Sequence, residues 1–366
     1  MTGFYVDPTG LNGLYNLLWR ASGDARDALD YTRRNCDLNL VEVGLLMNMV
    51  GPHRQAYQQV TNGLQEFVNL TQGAATQVNL AQRMYATSDA AATARLDQTY
   101  PGAKDPGGLG GALAERRPDL WPSAPRSLFS DVAEPGQQLG APNYASGIEE
   151  FQINLLSDLV SPSAWARQVS TWLFGVDPFE GWGKLVAGDW ESYTYCGAAW
   201  RAVGDAMLDV SRNLTTGAAD VSEVWRGNAA EAEQEFQLVL GGAAMTAHGV
   251  LDRYADLYAQ VSEAAKNLFA ALTNLLGKLL DALIMVCVAG AVGTATIKTG
   301  IGAVAGYGAA AYYAWQAYDL YKEISTVYGN AEVTFKSLGA LISAVDARLG
   351  LGSLPQVKPY HHPALD

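Results

Sequence analysis

The chain has 366 residues, 49% of them hydrophobic and 17% charged, which is enough for a large core and for two or three domains. Its 37 acidic groups against 24 basic ones leave a net charge of −13, which repels nucleic acid and anionic headgroups and counts against a phosphate-binding role. Three cysteines, Cys36, Cys196 and Cys287, stand far apart, so neither a disulfide framework nor a metal-ligand spacing is expected, and no cofactor either. Met1 to Pro8 lacks a basic stretch followed by an apolar core, so no classical signal peptide is expected.

Asp7-Pro8-Thr9 is a helix start signal. Leu11, Leu14, Leu18, Ala21, Ala25, Ala28 and Thr32 follow at alternating spacings of three and four, the signature of a coiled-coil seam. Asn35 to Asn39 breaks that helix, and a short apolar stretch, Leu40 to Val50, ends at Gly51-Pro52. A second long helix is expected from about His53 to Leu96, with its seam at Tyr57, Val60, Leu64, Phe67, Thr71, Ala74, Val78, Ala81 and Tyr85. Two such helices on a short connection form an antiparallel hairpin.

Between 100 and 147, prolines and glycines are dense and no periodicity survives. This reads as a linker, extended or disordered, or draped over the helices. Short helices follow up to Phe179. A third seam runs Tyr193, Cys196, Trp200, Val203, Met207, Val210, Leu214, Gly217, Val221, Val224. Trp225-Arg226-Gly227-Asn228 interrupts it, and a fourth seam runs from Phe236 to Leu275. These two make a second, longer hairpin with its tip at the Trp-Arg-Gly turn. Composition alone divides the chain into 1–99, 100–147, 148–278, an apolar helical hairpin with a last helix at 279–349, and an unstructured tail at 350–366. No strand-like alternation is present, and the fold class expected is all-α, built of elongated antiparallel helical hairpins.

The inventory argues against an enzyme. No serine-hydrolase, zinc-protease, nucleotide-loop or calcium-loop pattern occurs. His53 and His248 fall inside helical patterns, where a histidine is far more often structural or solvated than catalytic. Catalytic and metal-binding residues are therefore expected to be none.

Two short patterns stand out by placement. Nine tryptophans and 38 glycines make about one Trp-x-Gly expected by chance, but Trp225-x-Gly227 falls at the one break between two long seams. Glycine suits the sharp turn, and a tryptophan at the tip presents a large apolar plate with an N–H handle; the alternative is a tryptophan capping the end of the core. Tyr85-x-x-x-Asp89 has the four-residue spacing that puts two side chains on one helix face, at an Ala-rich helix end suited to being read by a partner. The plainer alternative is a seam tyrosine followed by a solvated aspartate.

On these residues the chain resembles the WxG superfamily of substrates of bacterial type VII (ESX) secretion. The stretches that carry the resemblance are Tyr85-Ala-Thr-Ser-Asp89-Ala-Ala-Ala, then the linker, then Val224-Trp225-Arg226-Gly227-Asn228-Ala229-Ala230. In that family a PE-like hairpin ends in YxxxD/E and a PPE-like hairpin carries WxG at its tip, and EspB-like members join both in one chain. The resemblance covers roughly residues 1 to 275. It implies a PE-like hairpin packed on a PPE-like hairpin as a bundle, with Tyr85, Asp89, Trp225 and Gly227 as a bipartite export signal. It implies a secretion ATPase or chaperone as reader, a location outside the cell or in the envelope, and an oligomeric, virulence-associated actinobacterial protein without enzymatic activity.

The apolar block departs from the simple pattern. Ala282 to Ile297 is an uncharged run of sixteen residues and Thr299 to Tyr318 one of twenty. Gly290, Gly293, Gly302 and Gly306 suit close helix packing, within an oligomer, in protein or in lipid. A buried helical hairpin is the plainer expectation; a membrane-inserting or pore-forming hairpin is the sharper one, since a span needs about 20 apolar residues. A third expectation is the delivery part of a toxin whose enzymatic part is missing.

Overall fold

The computed structural model describes residues 4–38, 44–100, 126–142, 152, 155–157, 164–295 and 301–349. Among them the protein is all-α apart from one two-residue ribbon. Helix α1 (Pro8–Cys36) starts where the sequence signals it: Asp7 accepts a 2.9 Å hydrogen bond from the Thr9 amide, and Pro8 fills the first helical position. Helix α2 (Met47–Thr87) returns antiparallel and packs along α1. After the short α3 (Ala90–Asp97), the strap 126–142, α4 (Ala164–Phe174) and α5 (Pro178–Val186) come two long helices, α6 (Trp190–Val224) and α7 (Asn228–Ala295). Helix α8 (Ile301–Leu349) closes the structure, lying along α7 and crossing α2.

The four seams form one core. Every predicted seam residue of α1, α6 and α7 is buried, and of those in α2 only Tyr57 is half-buried. The two hairpins meet through α1 against α6, and Val60, Gly63, Leu64 and Phe67 of α2 face Met207 of α6 with Ala243, Ala247 and Leu251 of α7. Alternate small and large residues let helices interdigitate at close range.

Four boundaries differ from expectation. The second helix begins at Met47 and passes through Gly51-Pro52. Proline here removes only the amide that would have bonded the Asn48 carbonyl. Helix α8 covers that carbonyl at Gly339, where a Cβ would stand 2.7 Å from the Asn48 oxygen. Second, the helix expected to run to Leu96 stops at Thr87, and α3 starts afresh. Third, α7 runs unbroken across 278, because its buried stripe continues through Leu276, Leu279 and Leu283 against α8. The change at 279 is one of composition, not of helix. Fourth, α8 is one helix from Ile301 to Leu349, so the second part of the apolar block and the last helix are continuous.

The second part of the linker, 126–142, is an ordered strap. A polar stripe on α6 holds it: Asp220 accepts from the Arg126 guanidinium and the Phe129 amide (both 2.7 Å), and Asn213 accepts from the Val132 and Ala133 amides (2.9 and 3.0 Å). Gln138 donates to Asp209 at 2.9 Å. From the other hairpin, Arg20 of α1 pairs with Asp131 at 2.6 Å and Tyr31 donates to the Gly140 carbonyl at 2.8 Å. Phe129 is buried where Gly13 leaves room for its ring. The strap thus fastens α1 to α6. Residues 101–125, 143–151 and the tail 350–366 lie outside the described residues.

Candidate functional site at the junction of the hairpins

The open end of the first hairpin and the tip of the second meet. Tyr5–Val6 pairs antiparallel with Trp225–Arg226, Tyr5 opposite Arg226 and Val6 opposite Trp225. The Asp7 amide donates to the Val224 carbonyl at 2.7 Å, and Gln82 of α2 donates to the Pro8 carbonyl at 2.8 Å. Tyr85 packs edge-to-face on Trp225 with ring centroids 5.8 Å apart, and Phe4 lies 6.0 Å from Tyr85. Such aromatic contacts add about 1 kcal/mol each beyond burial. Burial first, then the charge of Asp97, pushes the Tyr85 phenol above its usual range, while a hydrogen bond with Trp225 acts the other way.

Trp225 is wholly buried, 0% exposed. It is therefore an anchor between the hairpins, not an exposed plate at a tip. The physical reason is that strand pairing with Val6 and the Tyr85 ring cover both sides of the turn.

Tyr85 and Asp89 do not share a helix face. Ser88 is extended (φ −100°, ψ 151°) and separates them, because the Asp89 carboxylate takes the Ala91 amide at 2.7 Å and caps α3 instead. Asp89 is exposed.

The carboxylate that reaches the Trp-Arg-Gly turn is Asp97, at the end of α3. It is buried, and its two oxygens accept from the amides of Asn228 (2.9 Å) and Ala229 (3.0 Å). These are the first amides of α7, which no local side chain caps. Asp97 acts as an N-cap supplied by the other hairpin, satisfying orphan donors and complementing the positive end of the helix dipole. Gly227 makes this possible: its φ is +137°, and a Cβ there would stand 2.4 Å from Asp97 Oδ2. Asn228 adds a 2.9 Å bond from its side chain to the Tyr100 carbonyl. Sequence reasoning passed over Asp97. Its only signal is an aspartate at the end of a short Ala-rich segment, a common surface placement.

Glu233, in the second turn of α7, is wholly buried beside this junction, close to the Tyr100 phenol. Burial pushes its carboxyl up to about 8. Its Oε1 accepts from Gln237 at 3.3 Å, while Glu233 Oε2 and Gln237 Oε1 both lack a partner. A proton on Oε2 converts one of these acceptors into a donor, so the neutral acid fits its surroundings.

On the solvent side of the turn an open groove of about 440 Å³ is lined by Val221, Ser222, Arg226, Gly227, Glu231 and Gln234 among others. Arg226 and Ser222 are exposed there.

The small-residue positions of the apolar block divide. Gly290 on α7 is half-buried with open space at its Cβ position, and Gly306 on α8 is buried. Gly293 lies on α7 and Gly302 on α8, their surroundings outside the described residues. Nearby, Ile284, Met285, Val288, Val292, Tyr307, Tyr312 and Trp315 are exposed. The most apolar window of α7 has a mean hydropathy of 2.1 with 28% of its residues buried.

No family model, curated protein or solved structure was found to match the chain.

Proposed function

We propose that this is a non-enzymatic substrate of a type VII (ESX) secretion pathway, and that its export signal is the assembled junction rather than either motif alone. The observation that supports this reading is the meeting of Tyr85 and Trp225, 140 positions apart, at one end of two packed hairpins. The buried pair sets the geometry. The exposed groups around it, Asp89 and Arg226 with the groove beside Gly227, are what a secretion ATPase or chaperone would touch. After export the protein would act at the envelope or outside through its surfaces, by self-assembly or partner contact.

Trp225→Ala also opens a core cavity worth about 3–5 kcal/mol, so it confounds recognition with stability. The discriminating variants are Asp89→Ala and Arg226→Ala, both at exposed positions. In a host carrying a type VII system, each should accumulate folded inside the cell and disappear from the culture filtrate. Wild-type filtrate levels for both variants, or equal export from a host lacking the secretion ATPase, would end this reading.

A second reading is favoured by the exposed side chains of the α7–α8 end. There Ile284, Val288 and Val292 on α7 and Tyr312 and Trp315 on α8 face solvent. A membrane-active role would use this end, and dye release from lipid vesicles, weakened by Val288→Asp, separates it from the first.

A further inference from the structure

Cys36 ends α1 and Cys196 lies in the second turn of α6, so they belong to different hairpins and stand 160 positions apart. Both are free and 0% exposed. The residues just before them are joined: the Tyr195 hydroxyl donates to Asn35 Oδ1 at 2.9 Å. His53 closes the site. Its Nε2–H donates to the Cys36 carbonyl at 3.1 Å, which leaves Nδ1 to accept from the Tyr258 hydroxyl. The His53 ring also meets Tyr193 edge-on at 5.9 Å. With His53 and the Asn35–Tyr195 bond drawing the two segments together, Cys36 and Cys196 share this pocket, and the nearness of Cys36 helps hold the Cys196 thiol protonated. Cys287, half-buried on the far part of α7, has no such partner among the described cysteines.

We infer that Cys36 and Cys196 form a latent disulfide site, which under oxidising conditions joins α1 to α6 covalently and locks the two hairpins together. This goes beyond the proposed export function and does not rest on it. While the protein is folded and reduced, the pair is inert: burial raises the Cys196 thiol well above its usual range, and no reagent reaches it. Closure therefore proceeds during folding or in a transient opening of α1 from α6.

The oxidant is a small-molecule disulfide such as oxidised glutathione. The Cys36 thiolate attacks one glutathione sulfur, forming a mixed disulfide and releasing one glutathione thiolate, which takes up the proton Cys36 lost. Cys196, deprotonated in turn, attacks the Cys36 sulfur and expels the second glutathione. Two protein S–H groups are oxidised by two electrons, and one glutathione disulfide becomes two glutathiones. Closing a loop this long constrains the unfolded chain, and for a protein of this size the linked form should melt about 5 °C higher.

The test uses the full-length chain carrying Cys287→Ser, with the wild type in parallel. The protein is equilibrated with glutathione redox mixtures in mild urea, returned to buffer, alkylated and mapped by peptide mass spectrometry. The expected result is a Cys36–Cys196 linked peptide lighter by two hydrogens. It should come with a melting point raised by about 5 °C and reversed by a reductant. Recovery of both cysteines only as alkylated thiols or as glutathione adducts across the redox range would overturn the inference, and so would a linked form that melts lower than the reduced one.

Discussion

The junction makes a quantitative claim about two residues from different hairpins. Replacing Asp97 by alanine leaves the amides of Asn228 and Ala229 without their acceptor, at the start of a 68-residue helix. Loss of a cap costs about 1 kcal/mol, and Ala229 is 0% exposed, so its orphaned amide adds about 1–3 kcal/mol. Asp97→Ala should therefore destabilise by about 2–4 kcal/mol. Gly227→Ala should be comparable, since a Cβ collides with Asp97 Oδ2 at 2.4 Å and alanine resists a φ of +137°. The two effects must couple, because removing the carboxylate removes the collision. In the Asp97→Ala background the glycine substitution should cost at least about 1 kcal/mol less than in the wild type. Urea denaturation of the four proteins of the cycle measures this. Additivity within about 0.4 kcal/mol, or a Gly227→Ala protein as stable as wild type, would refute the assignment.

Four further outcomes are expected. His53 is held neutral by burial, with its folded value lowered to about 4 from 6.5, so the unfolded chain takes up the proton first as pH falls. Stability present above pH 6.5 should be lost by about 3 kcal/mol on going down to pH 4, read from urea midpoints. Glu233 works in the opposite sense: its folded value of about 8 lies above the usual 4.5 of a free glutamate, so stability is lost as pH rises through that window. Glu233→Gln should gain on the wild type from pH 4.5 towards pH 8 in the same titration. Gly339→Ala should cost about 1–3 kcal/mol in thermal melts, because its Cβ would stand 2.7 Å from the Asn48 carbonyl and 3.2 Å from Pro52 Cγ. Asp220→Ala unpairs Arg126, 17% exposed, and frees the Phe129 amide, so limited proteolysis should cut within 126–142 well before it does in wild type.

The seams were legible because a lengthwise helix interface repeats its demand every three or four residues, and Leu11 to Thr32 or Tyr193 to Val224 state it many times over. Trp225 and Tyr85 were legible as a pair only through resemblance, and their burial was not, since nothing in a turn sequence tells that a distant strand will cover it. Asp97 and the two thiols depend on contacts across more than a hundred residues and leave no local period. The strap could have been suspected from Asp209, Asn213 and Asp220, polar residues spaced on one face of a helix that is otherwise apolar. Helix boundaries failed at Pro52 and Ser88 for opposite reasons: a proline near a helix start breaks little, while a serine before a capping aspartate ends a helix that composition would continue.

The central claim is that a partner reads the junction where the hairpins meet. The direct measurement is binding of purified protein to the cytoplasmic part of a type VII secretion ATPase, comparing wild type with Ser222→Trp. Ser222 is exposed and lines the groove beside Gly227, so the indole fills the groove without disturbing the core. An unchanged melting point and binding weakened at least tenfold are expected. Wild-type affinity in the variant, with the groove filled, would contradict the central claim.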